Sequence, residues 1–160
     1  MTRLQTRRRP GGLLAVLAVA LVVAVLLPGR GSVAAGAVRV GDLTVSGATL
    51  PRPASPDVAS VYLTVRNGGG TADTLLDARS DAGDAPRVMA EHVDGTMGDT
   101  GPLVVPAHGS VVLTTGRQHL MLASPRPGLR EGSTVHVTLV FSHAGAITVP
   151  VTVTPIGSRG

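Results

Sequence analysis

Val58-Ala59-Ser60-Val61-Tyr62-Leu63-Thr64-Val65-Arg66 alternates without a break. Ala59, Val61, Leu63 and Val65 fall on one side, and Ser60, Tyr62, Thr64 and Arg66 on the other. That period of two is the signature of a half-buried strand. Working outward, Asn67 and three glycines predict a turn, and the prolines at 51, 53 and 56 predict a loop over 50–57. Upstream, Val38-Arg39-Val40 and Leu43-Thr44-Val45 flank Gly41-Asp42, which suits a tight hairpin. Downstream, strands are expected over 73–80 and 87–92, with a loop over 81–86 between them. A turn-like stretch over 95–102 holds Met97. Short strands follow at 103–105, 111–115 and 119–123, with a turn at Pro106-Ala107-His108-Gly109. After a Pro-rich loop over 124–132, Val135, Val137, Leu139 and Phe141 line one face of another strand. Ala144-Gly145 then turns into a last strand over 147–154. Strands at spacings of about 8–12 residues with turn signals between them predict an all-β sandwich or barrel. No segment after the first 37 residues keeps a helical period.

Those first residues have a different character. Arg3, Arg7, Arg8 and Arg9 precede an unbroken apolar run from Leu13 to Leu27, and Pro28-Gly29 ends it. Small residues follow at 33–37. Basic, apolar and small segments in that order predict a secretory signal. The run of fifteen is short for a membrane span, which needs about 20 residues. Gly11-Gly12 would lengthen it, so an uncleaved membrane anchor over 13–27 stays open. The expected organisation is a signal peptide or anchor over 1–37, a β-domain over 38–155 and a frayed tail over 156–160. The protein is then secreted or otherwise extracytoplasmic, touching a membrane only through its N-terminal segment.

The charge balance follows the same division. All fourteen basic residues are Arg, and five of them lie in the leader, which has no acids. The remainder has nine Arg against ten Asp plus Glu, a net of −1. The basic pI belongs to the leader, which argues against a nucleic-acid role. The chain has no Cys, so neither a disulfide nor a lipid-bearing Cys is available.

Chemistry enters at His119-Leu120-Met121-Leu122. On a strand, the two leucines take the core face, and His119 and Met121 sit side by side on the other. Thioether and imidazole donors together favour Cu(I) over hard cations. Met97 is a further thioether, in a Gly/Asp/Thr stretch with little apolar company. Nothing resembles a catalytic set: there is no Cys, no Gly-x-Ser-x-Gly elbow, no Walker loop and no His-Glu-x-x-His.

The stretch Met97…Leu103-Val104-Val105-Pro106-Ala107-His108-Gly109…His119-Leu120-Met121-Leu122…Val137-Thr138-Leu139-Val140-Phe141 resembles the PCuAC (DUF461) family of secreted copper chaperones. The likeness extends upstream to 61–67 and 72–76. That family's motif is His-x10-Met-x21-His-x-Met. Here 21 residues separate Met97 from His119, and His119-x-Met121 completes the second half. The motif's first His falls at Pro86. Its counterpart is His92, with a loop six residues shorter. Gly116-Arg117-Gln118 stands where the family often has Gly-Gly-Tyr. The resemblance implies a cupredoxin-like β-sandwich of Greek-key type that binds copper, chiefly Cu(I), through His92, Met97, His119 and Met121. It implies delivery to a copper enzyme, with the CuA site of cytochrome c oxidase as the usual client.

The remaining candidates have plainer expectations. Met89 lies three residues from His92, on the other face of its strand, and is expected in the core. His108 and His136 are expected in solvent, and His143 at the surface or as an auxiliary ligand. Asp73, Asp77, Asp81 and Asp84 are expected as a solvated face, with a calcium site as the other reading. The competing function is a secreted β-sandwich interaction or adhesion module without metal.

Overall fold

The computed structural model describes residues 36–91 and 95–159, and the leader lies outside them. Among the described residues there are eleven strands and no helix, hence none long and apolar enough to cross a membrane. The strands are β1 Val38–Val40, β2 Leu43–Pro51, β3 Val58–Asn67, β4 Asp73–Ser80, β5 Asp84–Glu91 and β6 Met97–Asp99. They continue with β7 Leu103–Val105, β8 Ser110–Leu113, β9 His119–Ala123, β10 Thr134–Phe141 and β11 Gly145–Thr154. They hydrogen-bond in the order β6-β5-β9-β3-β2-β11-β10-β4-β7, with β1 added to β2 and β8 to β3. All pairs are antiparallel except β11 with β2.

The order closes on itself. β4, second from one end, packs on β5, second from the other, and β7 packs on β3 and β8. The sheet therefore curls into the sandwich expected from the alternation. One cluster fills it: the expected inward residues of β3 are all buried, as are Val135, Val137, Leu139 and Phe141 of β10. β3 belongs to both halves. Its residues Val58–Val61 pair with β9, and Leu63–Arg66 pair with β8.

Several expected boundaries move: β2 runs on to Pro51, β8 covers Ser110–Leu113 rather than 111–115, and β11 begins at Gly145 rather than 147. β5 begins at Asp84 rather than Arg87, and Met97 opens a strand rather than lying in a turn. The early start of β5 comes from Asp84 pairing with Ala123 of β9, and β6 exists because it takes up the free ladder positions of β5 from Met89 to Glu91; local propensity shows neither pairing. Gly83 lets β5 enter beside β9. A Cβ there would sit 2.9 Å from the Ala123 carbonyl oxygen.

The acidic-face expectation fails at Asp73, which is only 4 % exposed. Its Oδ1 accepts from the Thr74 N–H at 2.8 Å, the Ser142 hydroxyl at 2.7 Å and the His143 N–H at 2.9 Å. Oδ2 accepts from the Ala144 N–H at 2.9 Å. The carboxylate thus pins the start of β4 to the β10–β11 turn. Burial alone would push its pKa up. The hydrogen bonds from Ser142, His143, Ala144 and Thr74 outweigh that and hold it well below the ordinary carboxylate range. The sequence hides this, because Asp73 reads as one more acid of a solvated face with Asp77, Asp81 and Asp84.

Asp73→Ala should cost about 2–3 kcal/mol of folding stability, since it strips the turn's donors of a charged acceptor; urea unfolding measures it. The sign with pH follows from the lowered pKa. The carboxylate's contribution is full above about pH 4 and is lost as pH falls further, toward the folded-state value. Asp73→Asn should flatten that acid limb.

Candidate metal centre

β9 is the centre of the site. Leu120 and Leu122 are 0 % exposed and lock one face of the strand into the core. Each such burial is worth about 2 kcal/mol. His119 and Met121 are therefore turned to the outer face, half-buried and side by side, as their spacing predicts. Residues two apart on a strand stand roughly 7 Å from each other.

The His119 ring is held on two sides. Its Nδ1–H donates to the Arg117 carbonyl oxygen at 3.3 Å. That bond leaves the Nε2 lone pair for a metal, the second-sphere arrangement that orients metal-binding imidazoles. Tyr62 of β3 meets the ring edge-on, with ring centres 6.3 Å apart. Tyr62 was expected on a polar outer face. It is 9 % exposed and walls the site. Beside it, Val58, Ser60 and Tyr62 line part of a cleft of about 270 Å³.

Across the strands the register fixes what surrounds the pair. Ser60 of β3 stands opposite Met121. On the other side, Arg87 of β5 stands opposite Met121 and Met89 stands opposite His119. Directly opposite residues share a face. Met89 is therefore on the outer face with His119, half-buried, and not in the core as expected. Pro86 and Val88 take the inward positions of β5 instead. The reason is that β5 starts early and carries a one-residue register shift between Asp84 and Arg87. The expectation took the site face from His92, a position outside the described residues.

Met97 lies farther out. It pairs with Glu91, and Asp99 pairs with Met89. It is 46 % exposed. From His119 it is two strands away, roughly 10 Å across the sheet, and displaced along it as well. The register brings His119, Met121 and Met89 together and sets Met97 beside Met89. Arg87 reaches Asp99 of β6 at 3.6 Å, on the side of β5 opposite β9. Such an exposed pair contributes little stability. Among the described residues, two other histidines are engaged by carboxylates. His136 pairs with Asp81 at 3.1 Å, and His143 with Asp73 at 3.3 Å. Among the described residues no three of His, Asp and Glu gather as a hard-metal site, so the calcium reading has no support there.

The family model for LpqE-like proteins, whose description names a lipoprotein, matches residues 43–153. The chain belongs to the LpqE-like family. Lipoproteins are extracytoplasmic, although this member has no Cys to carry a lipid. No curated protein sequence matches the chain. Among solved structures, the copper-bound PCuAC domain from PmoF2 superposes with a TM-score of 0.64 at 22% identity, covering 74% of this chain and 97% of that one. The apo PCuAC domain from PmoF1 gives 0.66 at 24% identity, covering 74% and 98%. The Cu(I) form of DR1885 from Deinococcus radiodurans gives 0.59 at 27% identity, covering 75% and 81%. The PCuAC resemblance and the cupredoxin-like fold are thus borne out.

Peroxide tests the geometry directly. Met97, the most exposed of the three face methionines, should form its sulfoxide before the half-buried Met89 and Met121. Peptide mass spectrometry over a time course reads the order, and Met121 reacting first would contradict it.

Proposed function

We propose that this LpqE-like chain is an extracytoplasmic copper chaperone, with Cu(I) as its cargo rather than a resident cofactor. The observation that carries the reading is the pairing of His119 and Met121 on the outer face of β9, above two fully buried leucines. The likeness to the Cu(I) form of DR1885 supports it. The donors suit the ion: Cu(I) accepts few soft ligands without strict geometry. The set also suits the compartment, because thioether and imidazole cannot be lost to a disulfide, as a thiolate pair can.

His119 and Met121 hold the ion in this reading, with Met97 as an outlying thioether and His92 as the motif's remaining candidate. The half-buried pair lies on an open sheet face, so a client's ligands can approach while the ion is still held. Such transfer by ligand exchange needs no catalytic group, and the role proposed is not enzymatic. The client class that fits is a copper enzyme facing the same compartment, such as the CuA site of cytochrome c oxidase.

Titration of the full chain with Cu(I) against a chromophoric chelator tests this. One equivalent should be withdrawn from the competitor, and the double variant His119→Ala/Met121→Ala should withdraw none at the same concentrations. Equal binding by the double variant would remove the site. No binding by the parent would favour the metal-free interaction module.

A further inference from the structure

We propose that Met89 is a third soft donor to the cargo ion, on the strand whose motif-spaced position holds Pro86 in place of a His. This rests on the copper reading above and adds a ligand to it. Pro86 has no metal-binding side chain, and its position on β5 is buried.

Three features of the register carry the assignment. Met89 is the cross-strand partner of His119, and the β-carbons of such partners lie about 5 Å apart. A flexible thioether on that position reaches the space beside the imidazole. Met89 is also diagonal to Met97, because Met97 pairs with Glu91 and Asp99 with Met89. Diagonal neighbours are about 7–8 Å apart, within reach of long side chains. Finally, β5 lies between β6 and β9. An ion held by both Met97 and His119 has to sit over β5, and Met89 is the β5 residue opposite His119.

The competing role of an outward Met is simple packing, since Met fills irregular gaps. Packing does not explain why a strand whose inward positions are already filled by Pro86 and Val88 places its thioether opposite the one outward imidazole of β9. The donors form a continuous path across the face, Met97, Met89, His119, Met121. Copper can then pass along it by exchanging one thioether for the next.

The test is Cu(I) competition together with copper X-ray absorption on the full chain, the Met89→Leu variant and the Met89→His variant. Leu keeps volume and removes the donor. The Met89→Leu chain should bind Cu(I) more weakly by at least the roughly tenfold that loss of even an outer partner costs a metal site. Its spectrum should lose one sulfur scatterer, with the thermal midpoint close to the parent's. Met89→His should keep the parent's affinity within a few fold and exchange that sulfur for nitrogen. A Met89→Leu chain with the parent's affinity and sulfur count overturns the assignment and leaves the chaperone reading intact. A parent chain that fails to bind Cu(I) at all overturns both.

Discussion

The burial of Leu120 and Leu122 is the constraint on which the site depends. Side chains alternate on a strand, so a slip of one residue in β9 would put His119 and Met121 into the core and two leucines into water. Burying the imidazole without partners would cost about 1–3 kcal/mol, and exposing the two leucines about 4 kcal/mol more. The register of β9 against β3 and β5 is therefore strongly fixed. Everything on the outer face follows from it: Tyr62 at the ring edge, Met89 opposite the ring, Arg87 opposite Met121. Soft donors on a rigid sheet suit an ion that must be held firmly enough to travel and loosely enough to leave.

The far side of the sandwich supplies that rigidity by another means. With one Phe, one Tyr and no Trp, the core is built mainly from small aliphatic side chains, which pack well but carry little volume each. The buried Asp73 carboxylate, with four donors drawn from β4 and the β10–β11 turn, adds a directional tie that aliphatic packing lacks. Asn67 does similar work at the β3–β4 turn, where its side chain donates to the Thr71 carbonyl and accepts from Gly69 N–H. Each is a polar group whose burial is tolerated because its hydrogen bonds are made.

Much of the fold was legible because alternation is a local property. β4 and β9 run over the residues their patterns predict, and the inward faces of β3 and β10 match theirs. The His119/Met121 pair was legible for the same reason. What the pattern could not supply was pairing between strands. Met89 looked like core because its face was judged from His92, three residues along, when its partner across the sheet is His119. The inward Pro86 and Val88 set 87 and 89 outward, but Pro86 reads from sequence as part of the 81–86 loop. Met97 read as a loop residue because a three-residue edge strand exists only through its neighbour. Asp73 read as a solvated acid because its donors lie about seventy positions away.

One spectrum tests the central claim, that soft donors from different strands share one outer face and hold Cu(I) there. With methionine methyls labelled in the full chain, four resonances report on Met1, Met89, Met97 and Met121. One equivalent of Cu(I) should displace those of Met89, Met97 and Met121 together and leave Met1 where it was. Met89 and Met121 methyls that stay at their copper-free positions, with Cu(I) present at that ratio, would contradict the account.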